Sequence, residues 1–65
     1  MPRITIEWFN TRSDGQRREL ARRITEVMVE VAAVKADAVT IRFDEFDQHL
    51  FARGGVIAAE SAPHS

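Results

Sequence analysis

The stretch Pro2-Arg3-Ile4-Thr5-Ile6-Glu7-Trp8-Phe9 decides the fold. Ile4, Ile6 and Trp8 fall on one face of an extended segment, and Arg3, Thr5, Glu7 and Phe9 fall on the other, which is the period of a strand with one buried face. Because the strand starts almost at the first residue, the sheet is expected to hold the N-terminus rather than leave it to solvent. Asn10-Thr11-Arg12 breaks the pattern. Ser13, with Gln16 three residues on, is placed to cap a helix through a capping box. That helix is predicted to run to about Ala33. Leu20, Ala21, Ile24, Val27, Met28, Val31 and Ala32 share one arc of a 3.6-residue wheel, and Arg18, Glu19, Arg22, Arg23, Glu26 and Glu30 share the opposite one. Glu19 with Arg23 and Arg22 with Glu26 are i,i+4 pairs that add helix support of a few tenths of a kcal/mol each. Val29 projects from the polar arc, either as a subunit contact or as an isolated exposed apolar side chain.

Residues 34–37 form a connection, and Ala38 to Asp44 alternates again, with Val39, Ile41 and Phe43 on one face and Thr40, Arg42 and Asp44 on the other. A strand, a helix and a second strand in this order give a right-handed β-α-β unit with parallel strands. From Glu45 to Ala59 the pattern is less regular, and Gly54-Gly55 marks a turn or hairpin. The tail from Ser61 to Ser65 is expected to be disordered. Residues 1–65 form a single α+β domain, with no repeat, low-complexity tract or linker.

A chain of 65 residues buries only about 60% of the surface its unfolded form exposes. Small scaffolds offset so thin a core with disulfides, a metal or neighbours. Cysteine is absent, and two scattered histidines cannot supply a structural metal site. Self-association remains, so a homo-oligomer is expected. Nine basic against ten acidic residues leave a net charge of −1, which argues against a general nucleic-acid or acidic-membrane binder. No long apolar run or charged leader suggests export or insertion, so the expected location is cytoplasmic.

Pro2 is the first candidate for chemistry. A small residue in second place permits removal of Met1 and leaves a secondary amine, although many proteins carry Pro here without catalytic consequence. A free α-amino group titrates near 7.7–8.0. Burial and nearby arginines disfavour its charged form, so the neutral amine can act as general base and then as general acid. Arg12 sits in the loop before the helix, where its guanidinium can fork onto a carboxylate near the positive helix end; a solvated loop arginine is the alternative. Arg42 lies on the polar strand face, with Glu7 as the expected structural partner. Asp44, Glu45, Asp47 and His49 read as solvated loop charges, so no metal is expected. Neither Ser13 nor the terminal serines have the His and acid partners that nucleophilic hydrolysis needs.

Met-Pro followed by an eight-residue strand, Thr11-Arg12-Ser13-Asp14, Gln16-Arg17 and Leu20 resembles the N-terminal half of 4-oxalocrotonate tautomerases. Thr25-Glu26, Phe51 and Gly54-Gly55 keep that family's spacing, so the resemblance spans roughly residues 2–58. It implies a tautomerase-like β-α-β protomer with a small C-terminal hairpin, assembling as dimers or as a trimer of dimers. It also implies a cofactor-independent keto–enol tautomerase acting on a small carboxylate, a 2-hydroxydienoate or related enol. Carried over to this chain, Pro2 is the acid/base, Arg12 binds the substrate carboxylate, Phe51 walls the apolar pocket and Phe9 contributes to its shape. Two positions depart from the family. Thr11 stands where a Gly usually precedes the loop arginine, and Thr40 stands where the second strand usually carries an arginine. Help at the substrate's carbonyl oxygen would then come from Arg42, two residues on and on the same face, from Arg53, or from no arginine. Two alternatives remain open on the same fold: hydration or dehalogenation of an unsaturated acid, and a non-catalytic oligomeric module.

Overall fold

The computed structural model describes residues 1–61. The elements follow in the order β1 (Arg3–Phe9), α1 (Asp14–Ala32), a 3-10 turn at Ala36–Ala38, β2 (Thr40–Phe46), a second 3-10 turn at Gln48–Leu50, β3 (Ala52–Arg53), β4 (Val56–Ile57) and α2 (Ala58–Ser61). β1 and β2 pair in parallel, from Arg3 opposite Thr40 to Phe9 opposite Phe46, and β3 and β4 form a separate antiparallel hairpin. The expected β-α-β unit with a small hairpin is therefore present. Of the tail expected at 61–65, Ser61 closes α2 and residues 62–65 lie outside the described residues.

α1 begins as its sequence dictates. The Ser13 hydroxyl accepts the Gln16 backbone N–H at 3.2 Å, and the Gln16 side chain accepts the Ser13 N–H at 3.0 Å, closing the capping box. Both expected i,i+4 ion pairs are present, Glu19 with Arg23 and Arg22 with Glu26. Hydrogen bonds from Arg22 and Arg23 hold the Glu19 carboxyl down at about 2. The helix stops where Ala33 turns into the left-handed region, at φ 57° and ψ 40°. β2 starts and ends two residues later than the alternation suggests. The backbone N–H groups of Ala38 and Val39 are spent on the carbonyls of Lys35 and Ala36, so the ladder begins only at Thr40, whose N–H reaches the Pro2 carbonyl at 3.1 Å. At the hairpin, Gly54 (φ 59°) and Gly55 (φ 82°) both take positive φ, the requirement of a tight two-residue turn between short strands.

The register places Ile4, Ile6 and Trp8 beside Ile41, Phe43 and Glu45 on one face of the sheet, with Trp8 and Phe43 stacked at 5.7 Å between centroids. α1 crosses this face. Its Leu20, Ala21, Ile24 and Met28 are half-buried, and Arg17 reaches across to Glu45. The rest of the predicted apolar arc finds no cover, since Val27 remains 54% exposed and Val31 78%. The cause is width: a two-stranded sheet is only about 10 Å across, so it covers one stripe of a helix 10–12 Å in diameter and not its whole apolar arc. Among the described residues no side chain is fully buried. No described helix is long and apolar enough to cross a membrane.

Ala33 carries the one positive φ found outside glycine among the described residues. Relieving its Cβ by Ala33→Gly should stabilise the fold by about 0.5–1 kcal/mol, measured by thermal or denaturant unfolding at one fixed protein concentration.

Candidate active site

The parallel ladder sorts the candidate residues to its two ends. At the first end Pro2 is half-buried, and its carbonyl accepts both the Thr40 N–H at 3.1 Å and the Thr40 hydroxyl at 3.3 Å. Met1, one residue earlier, is 85% exposed. Beside them lies an open depression of about 420 Å³ whose lining includes Met1, Arg3, Thr40 and Arg42. Thr5, not Glu7, faces Arg42 across the ladder, and Glu7 faces Asp44. The expected Glu7–Arg42 ion pair is absent among the described residues because the register sets the two residues diagonally apart.

At the second end three phenylalanine rings meet. Phe9 contacts Phe46 edge-on at 5.3 Å and Phe51 edge-on at 5.6 Å, and Phe46 and Phe51 are 6.0 Å apart. They wall a cavity of about 300 Å³ into which Arg12 and Arg53 also border. The chain leaves β1 through Thr11 N–H to the Phe9 carbonyl at 2.8 Å and Asn10 N–H to the Phe46 carbonyl at 2.9 Å. This turn brings Arg12 alongside the cavity just ahead of the α1 N-terminus. The Arg12 guanidinium carbon sits 5.3 Å from the centre of the Trp8 ring, and that of Arg53 sits 6.0 Å from the Phe51 ring. Neither cation has a carboxylate partner among the described residues. Two guanidiniums without carboxylate partners among the described residues, set against an apolar aromatic wall, have the chemistry that suits an organic anion.

Behind Arg12 lies a charged group on the otherwise apolar sheet face. Glu45 accepts the Trp8 indole N–H at 2.8 Å and a guanidinium nitrogen of Arg17 at 2.9 Å. The same Arg17 nitrogen donates to the Arg12 carbonyl at 2.9 Å, and Arg17 also pairs with Asp14. The Arg17 hydrogen bond lowers the Asp14 pKa below its ordinary range, while Asp14 and then Glu45 raise that of Arg17.

One chain thus brings Phe9, Arg12 and Phe51 together and keeps Pro2 and Arg42 apart from them. The seven residues of β1 separate Pro2 from Phe9 by about 23 Å at a rise of 3.3 Å per residue. Sequence reasoning missed Phe46, Glu45 and the part played by Arg17. Ending the second strand at Asp44 left Phe46 and Glu45 in a supposed polar loop. The alternation of β1 held the available signal, since Phe9 on its polar face calls for an apolar neighbour.

Residues 2–60 match the family model for tautomerase enzymes. A probable tautomerase of Bradyrhizobium diazoefficiens is 36% identical over 62 residues, covering 95% of this chain and 92% of that protein. A 4-oxalocrotonate tautomerase isozyme of Methylibium petroleiphilum superposes with a TM-score of 0.82 at 30% identity, covering 91% of this chain and 92% of the other. A heterohexameric 4-oxalocrotonate tautomerase of Chloroflexus aurantiacus gives 0.81 at 26% identity, covering 94% and 98%. The β-α-β fold, a proline in second place and a match over nearly the whole length define the chain as a member of the tautomerase family. Membership supports an isomerase of the tautomerase type.

Removing the Glu45 carboxylate strands the half-buried Trp8 N–H and Arg17. Glu45→Ala should cost about 1–2 kcal/mol, whereas Asp44→Ala, on the other sheet face without an ion pair, should stay within about 0.5 kcal/mol; unfolding both variants at the same concentration checks the contrast.

Proposed function

We propose that this protein is a cofactor-independent keto–enol tautomerase acting on a 2-hydroxydienoate or a related enol of an α-keto acid. The observation that carries this reading is the half-buried Pro2 at the head of a paired strand, in a chain that matches the tautomerase family over residues 2–60. With Met1 attached, the Pro2 nitrogen is an amide and has no basic lone pair. Removal of the exposed Met1 leaves a secondary amine whose position is fixed through the carbonyl held by Thr40. Arg3 and Arg42, both unpaired among the described residues, disfavour an added positive charge there. The neutral amine takes the proton from the enol oxygen and, as the ammonium, returns a proton to the carbon that becomes saturated.

Arg12 binds the substrate carboxylate, and Phe9 and Phe51, joined by Phe46, wall the hydrocarbon portion. Arg42 at the amine's end and Arg53 at the carboxylate's end are the two cations available to the developing charge on the carbonyl oxygen. Because about 23 Å of β1 separates Pro2 from Phe9, a working site takes Pro2 from one subunit and Arg12 with Phe51 from another. Association also covers Val27 and Val31, which the chain's own sheet leaves exposed. The assembly we propose is a homo-oligomer, a hexamer built as a trimer of dimers. Three catalytic requirements, an amine, a carboxylate binder and a water-poor wall, are met without a metal or cofactor.

Intact-mass analysis should find the chain shortened by Met1, and Pro2→Ala should lose most ketonisation of an enol substrate; undiminished turnover by that variant rejects the acid/base role. Arg12→Ala should raise KM for a carboxylate substrate by roughly 10- to 100-fold, the loss of a charge-assisted hydrogen bond. On dilution, sizing should show activity falling together with the oligomer, and a folded, active monomer would contradict the shared site.

A further inference from the structure

We infer that Trp8 is a positioning residue for Arg12: its ring holds the guanidinium ready for a carboxylate, and a Glu45–Arg17 brace fixes the ring. The inference rests on the reading of Arg12 as the carboxylate binder and extends it to three residues that do not themselves need to touch substrate. The contacts form a closed circuit. Starting from the Arg12 carbonyl, Arg17 donates to it at 2.9 Å; the same nitrogen donates to Glu45 at 2.9 Å; Glu45 accepts the Trp8 N–H at 2.8 Å; and the Trp8 ring carries the Arg12 guanidinium at 5.3 Å. The circuit returns to the residue it left, so the backbone and the side-chain end of Arg12 are held by one brace.

Shelter distinguishes this brace from the other ion pairs of the helix. The side chains of Arg17 and Glu45 are 28% and 20% exposed, whereas Arg22 and Glu26 are 54% and 63% exposed. Water and salt screen the latter far more strongly. Phe43 backs the indole at 5.7 Å, with the planes 19° apart. The ring is therefore fixed along its edge by Glu45 and at its side by Phe43. A loop arginine in solvent samples many rotamers and loses that freedom on binding an anion; one already resting on a fixed ring loses less. The ring attracts the cation without occupying its N–H groups as a carboxylate would, so the fork stays available to a ligand.

The test uses phenylacetate, a non-reactive carboxylate matched to the aromatic wall, with the full chain in its assembled form. Trp8 is the single tryptophan of the sequence, so its fluorescence reports on the contact directly. Emission should shift as phenylacetate saturates the protein, and Arg12→Ala should alter the unliganded emission and abolish the shift. By calorimetry, Trp8→Leu should weaken phenylacetate binding roughly five- to tenfold, a cation–π contact's worth, and Trp8→Phe should restore part of that loss. In turnover of an enol substrate, Trp8→Leu should raise KM by a similar factor while kcat changes less than about twofold. Adding Trp8→Leu to Arg12→Ala should cost nothing further, because the ring acts through the cation.

An equal loss from Trp8→Leu in the two backgrounds overturns the inference, since the ring would then act on the ligand or the fold directly. Should Trp8→Leu fail to fold, the emission comparison of the parent with Arg12→Ala decides, and identical spectra with and without Arg12 overturn the inference. If Arg12→Ala leaves phenylacetate binding unchanged, the carboxylate-binding role itself falls. If Arg12→Ala weakens binding and Trp8→Leu does not, only the positioning role of Trp8 falls.

Discussion

The parallel pairing of β1 with β2 governs nearly everything else in this molecule. Seven residue pairs run from Arg3–Thr40 to Phe9–Phe46, and their direction requires that the chain travel the full length of the sheet between them. α1 makes that return, and its 19 residues span about 28 Å, enough to cover a strand of about 23 Å. Parallel order also collects the two strand starts at one end and the two strand finishes at the other. Pro2 and Thr40 therefore meet, as do Phe9 and Phe46. An antiparallel pair would have placed Pro2 against Phe46 and built a different pair of surfaces.

The same pairing fixes how far the fold can be self-sufficient. A sheet of two strands offers one narrow apolar face, and α1 is wider than that face. Val27 and Val31 remain outside it, and among the described residues no second helix or sheet layer covers the part of the sheet's other face formed by Thr5, Glu7, Arg42 and Asp44. Burial that a larger domain would find internally is what the proposed association of copies would supply. On the proposed reading, a site shared between two subunits answers the same shortage, since the described elements include no second layer that would carry Arg12 back to Pro2.

Where the sequence was legible, a single physical rule dominated each position. Period two in Ile4, Ile6 and Trp8 and the reciprocal bonds of Ser13 and Gln16 leave one choice each, and the structure follows both. Where two rules competed, the reading slipped. Val39 belongs to the alternation of β2, yet a 3-10 turn captures its N–H, and the strand starts at Thr40. Glu45 looks like one more loop acid beside Asp44. Its place on the apolar face becomes intelligible only when the indole of Trp8, 37 residues away in the chain, is seen to require an acceptor. Phe51 and Phe9 were visible through family resemblance, whereas Phe46 depended on a strand end that alternation alone does not set.

Thr40 grips Pro2 by its carbonyl and leaves the nitrogen alone. The peptide bond between Met1 and Pro2 therefore contributes no rung to the ladder, and no described hydrogen bond crosses it. Cutting that bond exchanges an inert amide for a base without loosening the sheet. If Met1 is removed as proposed, that step and folding are thermodynamically separate: a chain that keeps Met1 would hold the same ladder as one that loses it, and only the chemistry at one nitrogen atom would tell them apart.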